Sequence, residues 1–428
     1  MNAYGSWGRY PRATPKETFR VLPGESLPHS ALSMLPFGQG RSYGDVCHNN
    51  GQLLLDTSDL VGTIRFDPIA GTLSCYSGTT LKQILETIVP HGWFLPVTPG
   101  TQFVTVGGAI ANDVHGKNHH REGTFGRHVT RMEVVRSDGS KTVCSSVEHS
   151  GLYRATIGGL GLTGLITWAE LKLKKIGSPW IDVEKKVFMD FDEFLARSAE
   201  ADRTHEYTVA WVDVSSGDDP RGILICGNHA LNGPKEPSSR ELSVPFDMPP
   251  VLMNPLSTRL FNTFYYHAQR MTSGKSAAHY RPFFYPLDGL LHWNRLYGKR
   301  GLLEYQFVVP LEHAKEVVLA ILKESRHSGA TSVLSVLKWF GDVPSPGMLS
   351  FPMPGISLAI DFYRKNDGLL DLFARFDEMV LTAGGRVYPA KAAQLSAETF
   401  RAQFAELDTF ATYVDPRFSS DLWRRISS

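Results

Sequence analysis

The sequence predicts an α+β fold in which a glycine-rich front domain is followed by an antiparallel sheet covered by helices. Three observations predict it. The chain has 428 residues, more than one small domain needs, so two domains are the natural expectation. Up to about residue 178, short β-rich runs alternate with glycine clusters. From about 180 to 385, amphipathic helices alternate with apolar strands, and the glycine-rich character has ended.

The front domain reads in order. LLLDTSDLVGTIRFDPIAGTLSCYSG holds short strands broken by Asp-Pro and Gly. Leu81, Ile84, Leu85, Ile88 and Val89 then share one helical face, with Thr79 or Thr80 to cap its start and Pro90 with Gly92 to end it. RMEVVRSDGSKTVC has a hairpin pattern turning at Asp138-Gly139. A short helix is expected from Gly151 to Thr156, and LITWAELKLKKI alternates as a strand. Behind it, MDFDEFLARSAEAD, LEHAKEVVLAILKESRHSG and DGLLDLFARFDEMVLTAGG read as helices. Residues 304–309, 332–340 and 356–363 read as strands. Between 232 and 282 this order fails: a proline-rich run precedes the aromatic RLFNTFYYHAQRM, which predicts a mobile lid or irregular insertion. The expected divisions are 1–178, 179–385 with the 232–282 insertion, and a C-terminal segment, 386–428.

Bulk properties exclude several classes. Hydrophobic residues make up 42% and charged residues 20%, as expected of a globular protein with a sizeable core. The net charge is +1, from 44 basic and 43 acidic residues, which argues against a nucleic-acid footprint. The four cysteines, Cys47, Cys75, Cys144 and Cys226, form no CxxC pair and need no disulfide framework. No signal-peptide core and no run of about 20 apolar residues is seen. A cytoplasmic protein is expected, with peripheral membrane contact left open.

Three glycine clusters stand out: FGQGRSYGD, TPGTQFVTVGGAIANDVHGKNHH and IGGLGLTGLI. The third contains a formal GxGxxG, but a helix precedes it and a strand follows, the reverse of a dinucleotide-binding turn. In the first, backbone N–H groups around Gly40 and Gly44 suit a pyrophosphate. In the second, Gly107 and Gly108 permit close approach of a flat ligand, and Asn112, His115 and Asn118 add polar groups. His115, His119, His120 and His128 lie close in sequence, yet no acidic or cysteine ligand stands at a metal-site spacing. No metal is expected, and His119, His120 and His128 are read as structural.

PGTQFVTVGGAIANDVHGKNHH and GRSYGD resemble the FAD-binding domain of the vanillyl-alcohol-oxidase-type flavoproteins. Within these, the closer resemblance is to members acting on a polyprenyl-phosphate-linked ribose. It continues in order through FGRHV, GGLGLTG, AWVD, FYPLDGLLHWNRLYG, EYQFVVP, LKWFG, IDF, GRVYPAK and DPRFSSDLWRR, covering nearly the whole chain. The resemblance implies a two-subdomain FAD domain, a substrate domain with an antiparallel sheet, and a C-terminal segment returning to the flavin. It implies FAD contacts at Gly40, Arg41, Ser42, Tyr43, Gly44, Gly100, Thr105, Gly107, Gly108, Asn112, His115, Gly116, Ile166 and Tyr388. Arg41 stands where relatives with a covalent flavin carry histidine, so FAD is expected to be non-covalent.

The implied reaction is oxidation of the ribose C2 hydroxyl to a ketone, the first half of an epimerisation to arabinose. An NAD(P)H-dependent keto-reductase would complete it. The electron acceptor stays open among oxygen, a quinone and a protein partner. Lys391 is the leading catalytic candidate, either as a cation stabilising reduced flavin or, if desolvated, as a base. His115 and Tyr43 are second candidates for handling or orienting the proton. Lys117, Gln306, Lys338 and Trp211 are assigned to substrate, Trp211 also to packing. Four positions depart from the family pattern: Phe284-Tyr285 for Tyr-His, Glu304 for Gln, and Ala359 for Cys. Two other readings compete: an oxidase of a free sugar or aldonolactone, and a flavin-free binding protein that kept the fold.

Overall fold

The computed structural model describes residues 4–234, 242–249, 253–330 and 332–427. Three sheets carry the architecture. The first is a parallel sheet of three strands, with Leu53–Asp56 between Glu17–Arg20 and Met34–Phe37. The second has five antiparallel strands in the order Thr63–Asp67, Thr72–Tyr76, Leu165–Lys172, Val129–Val135, Lys141–Ser145. Its core takes in the Leu81–Ile88 helix, which buries Leu81, Ile84, Leu85 and Ile88. Burial of side chains this size stabilises by about 1.5–3 kcal/mol each. Thr80 is the cap, in a reciprocal capping box with Gln83.

The third sheet has eight strands, all antiparallel. Their order is Gly274–His279, Trp180–Phe188, Gly222–His229, Tyr207–Val212, Ser335–Phe340, Gly355–Tyr363, Leu302–Val309, Arg386–Val387. Strand alternation separates its two faces. One face carries Ala210, Val212, Leu303, Tyr305, Phe307, Leu337, Leu358 and Ile360 into a core shared with the helices Phe191–Thr204, Leu311–His327 and Gly368–Thr382. On the other face the register aligns Trp211, Val336, Ala359 and Gln306 in one row, and Glu304 opposite Asp361.

The expectation of an irregular insertion at 232–282 is corrected over its rear half. Pro255–Met271 is a helix of 17 residues, and Gly274–His279 is the edge strand of the large sheet. Asn254 caps the helix, Pro255 opens it, and Ser257 completes a capping box. Its inner face is polar as well as apolar: Thr258, Asn262 and Tyr266 are buried, and Asn262 Nδ2 donates to Ser332 O at 3.1 Å. The parts of the expected lid at 235–241 and 250–252 lie outside the described residues.

The C-terminal segment runs back across the front domain. Asp415 accepts from Ser137 N and pairs with Arg136, Phe418 bridges to Met34, and Arg425 grips both oxygens of Asp45 at 2.8 and 2.6 Å. Among the described residues no helix is long and apolar enough to cross a membrane.

Candidate active site

A cavity of about 390 Å³ lies where the three glycine clusters meet the open face of the large sheet. Its front wall is backbone-rich: Gly38 to Tyr43, Gly100, Thr105, Gly107, Gly108, Asn112 and His115, then Leu160, Gly161 and Gly164 to Ile166. The helix Ser150–Thr156 precedes the third cluster and the strand Leu165–Lys172 follows it, as the sequence predicted. Gly40 has φ +56°, a left-handed backbone that favours glycine, and a Cβ there would meet Gly5 O at 2.5 Å. Thr105 caps the turn beneath, its Oγ1 accepting from Gly108 N at 3.1 Å. Arg41 spreads its guanidinium over the rings of Trp7 and Phe103, 4.3 and 5.2 Å from their centroids. Burial pushes the Arg41 pKa down.

The rear wall comes from alternate residues of three strands: Glu304 and Gln306, Val336 and Lys338, Ala359 and Asp361. Tyr388, Ala390 and Lys391 close the space between the walls. The Lys391 ammonium donates to Glu304 Oε2 at 2.6 Å and lies 3.8 Å above the Tyr43 ring. The carboxylate thus holds the lysine in place beside the Tyr43 ring. Burial, with Asp361 and Glu304 nearby, raises the Tyr43 pKa well above its ordinary value. Tyr43 therefore keeps its proton. Lys338 is pushed down to about 8 by burial and by Lys391.

His115 sits against Phe340, Phe351 and Tyr388. Burial first, then Lys338, holds its pKa well below the ordinary value, so it is neutral. The Gln306 amide nitrogen stands 2.9 Å from His115 Nε2; donation there places the ring proton on Nδ1. Its only free lone pair is thereby occupied. Tyr388 stacks on Phe351 and donates to Asn112 O at 3.0 Å.

Four of the expected site residues do not line the cavity. Lys117 points away and donates to Phe283 O above the Phe283 ring, with burial pushing its pKa down to about 7. It braces the loop that carries His115. Trp211 shares the sheet face of the cavity but lies beneath the Pro255–Met271 helix, packed on Tyr265, Ile223 and Tyr266. Gly44 and Gly116 serve packing. A Cβ on Gly44 would sit 1.9 Å from Ala392 O, and one on Gly116 2.9 Å from Thr98 O. Gly44 thus lets the GRSYGD loop rest directly on the Lys391 segment.

The other three clustered histidines also lie off the cavity wall. His119 packs on Phe340, His120 faces His205 O, and His128 faces Glu122 O. Among the described residues no group of three His, Cys, Asp or Glu is placed to hold a metal ion. Sequence reasoning missed Asp361 as a site residue. Its signal was an acidic residue inside an apolar strand, at the position where alternation turns toward the Glu304 face.

The cavity fits FAD. Its front wall is backbone a ligand can touch, and buried polar atoms around it have no partner among the described residues: Arg41 Nε, Asn112 Oδ1 and His115 Nδ1. Residues 28–145 match the family described as FAD binding domain. The fold and the cavity thus define an FAD-dependent oxidoreductase acting on CH–OH groups. Decaprenylphosphoryl-beta-D-ribose oxidase of Mycolicibacterium smegmatis is 35% identical, over 91% of this chain and 88% of that protein. The chain belongs to the decaprenylphosphoryl-β-D-ribose oxidase family. An uncharacterized protein of Streptomyces coelicolor is 33% identical over 81% of this chain and 99% of its own length. Cytokinin dehydrogenase 9 of Oryza sativa is 26% identical over 49% of this chain and 40% of its own length.

Proposed function

We propose that this flavoprotein oxidises the C2 hydroxyl of a polyprenyl-phosphate-linked ribofuranose to the 2-keto sugar, the first half of an inversion to arabinofuranose. The observation that carries the reading is the facing of two unlike walls across one cavity. Flexible-contact backbone on one side suits the cofactor. Gln306, Lys338, Glu304 and Asp361 on the other suit a hydroxylated, anionic substrate. When bound, FAD supplies the two-electron acceptor that the side chains lack. Lys338 supplies a cation for the phosphate or a sugar oxygen, Gln306 orients His115 and the sugar, and Lys391 stabilises negative charge developing beside it. FAD is held without a covalent bond, because Arg41 offers no nucleophile where a linking histidine would stand.

The lipid tail has a matching surface. Leu256, Leu260, Phe261 and Phe264 of the Pro255–Met271 helix are 68%, 63%, 48% and 74% exposed and recur at helical spacing on one face. We assign this face to peripheral contact with a bilayer. A quinone of the same bilayer is the electron acceptor that suits this placement, and a keto-reductase using NAD(P)H consumes the product. The test is anaerobic bleaching of the flavin by lipid-linked ribose, free pentoses and aldonolactones. Bleaching by the lipid-linked sugar in preference to the others is expected; equal bleaching by free sugars or lactones sinks the substrate assignment.

A further inference from the structure

Glu304 and Asp361 stand directly opposite each other on adjacent strands, 7% and 2% exposed, and both line the cavity. Lys391 holds Glu304 Oε2 at 2.6 Å, whereas Asp361 Oδ2 is buried and no cation among the described residues pairs with it. Two buried carboxyl groups with a single cation on one of them cannot both ionise readily, and a hydrogen bond between them requires a proton on one. Burial first, then Glu304, pushes the Asp361 carboxyl well above the usual carboxylate range; Lys391 opposes this. Tyr43 and Tyr297 feel the pair across the packing, and Lys338 shares its wall.

Lys338 and His292 also line the cavity, but three of its other groups are engaged or keep their protons. Lys391 is ion-paired, Tyr43 keeps its proton, and His115 is occupied by Gln306. Asp288 accepts from Gln102 N at 2.8 Å and belongs to the loop beside the front wall. We propose that Asp361 takes the hydroxyl proton of the substrate and that Glu304, its cross-strand neighbour, tunes it for that task. This rests on the reading that the cavity oxidises a secondary alcohol. The substrate C–H bond would break with its electron pair taken up by FAD, the two-electron acceptor this cavity would hold. The O–H bond breaks with its proton passing to the Asp361 carboxylate, and the carbonyl π bond forms. The alcohol is oxidised by two electrons and the flavin reduced by two. Glu304 is the positioning residue: its negative charge, held in place by Lys391, keeps Asp361 a strong enough base to work near neutral pH.

The experiment measures anaerobic flavin reduction by lipid-linked ribose against pH, in the flavin-loaded wild type and in Glu304→Gln and Asp361→Asn. Wild-type reduction should accelerate as pH rises through the Asp361 titration. Glu304→Gln removes the like charge, so this limb should move at least one pH unit lower with flavin content retained. Asp361→Asn should lose the limb and reduce the rate by about 10²–10⁴-fold, as removal of a general base does. Thermal unfolding without substrate gives a second readout. An acid raised in the folded state stabilises below its unfolded pKa, and that stability is lost as pH rises. The wild-type melting temperature should show this fall, and in Asp361→Asn the fall should be smaller, leaving only the part due to other buried acids such as Asp377. Reduction of Asp361→Asn at the wild-type rate, or an unmoved limb in Glu304→Gln, overturns the assignment of the base alone. A wild-type flavin that no sugar alcohol reduces overturns the reaction and the base together.

Discussion

Gly44 offers a test in which the magnitude follows from one distance. In Gly44→Ala the new Cβ would lie 1.9 Å from Ala392 O, while real Cβ contacts essentially never fall below 3.0 Å. The two backbones must therefore part by at least about 1.1 Å, the difference of those two distances. Neither is a flexible side-chain end, so a loop or the Lys391 segment has to move as a unit. Overpacking of this kind costs about 1–3 kcal/mol. At about 2–4 °C per kcal/mol for a chain larger than a small domain, the melting temperature should fall by roughly 2–12 °C. Where the Lys391 segment is the part that moves, the shift strains the Lys391–Glu304 hydrogen bond, now 2.6 Å. Misplacement by about 1 Å costs on the order of 10²-fold in rate. Differential scanning fluorimetry, flavin absorbance after desalting and single-turnover reduction read the three consequences. A variant with wild-type melting, flavin content and reduction rate would refute the claim that the GRSYGD loop and the Lys391 segment are mutually fitted.

Other expectations separate packing from ligand contact. Gly100→Ala is the complement, since a Cβ there meets nothing within 4 Å; its apoprotein should melt as wild type while the Kd for FAD, measured by fluorescence quenching, rises about tenfold or about 1.4 kcal/mol. Denaturation should release the yellow cofactor into the supernatant, and flavin remaining with the precipitate would show a covalent bond. Asp377, buried against Tyr305 OH at 2.7 Å, is pushed up to about 7 by burial. Its contribution to stability is complete below its unfolded pKa of about 3.9 and lost as pH rises through about 7. Asp377→Asn should thus be more stable than wild type above pH 7, by on the order of 2–4 kcal/mol, and no difference in chemical denaturation at pH 8 would contradict the sign. Phe264→Glu combined with Leu260→Glu should abolish sedimentation with anionic vesicles while leaving flavin content intact.

Much of this was legible in the sequence because the local signals agree with the tertiary ones. The Leu81–Ile88 helix has an apolar stripe, a capping threonine and a Pro–Gly stop, so neighbours had nothing to override. The third glycine cluster could be denied a Rossmann-type turn from its flanks alone. The Pro255–Met271 helix was not legible because its pattern is inverted. Leu260 and Phe264 face outward, while Thr258 and Asn262 face the protein. Only the start signal, Asn254 with Pro255 and Ser257, marked it as ordered. Lys117 and Trp211 were misplaced for a related reason: a motif fixes backbone position, but which way a long side chain turns is decided by partners such as Phe283 O and Tyr265, far away in sequence. The Glu304–Asp361 pairing needed the strand register, which no single segment encodes.

The cavity walls come from Gly38 to Tyr43, Gly100 to His115, Glu304 to Asp361 and Tyr388 to Lys391. No contiguous stretch of chain holds even half of the chamber. FAD can therefore bind only after distant regions have docked, and once bound it ties them into one cooperative unit. Bound ligand at a hundred times its Kd adds about 2.7 kcal/mol to the folded state. Cofactor supply then becomes a determinant of how much of this protein persists in a cell, with flavin scarcity thinning the population before any active-site residue is touched.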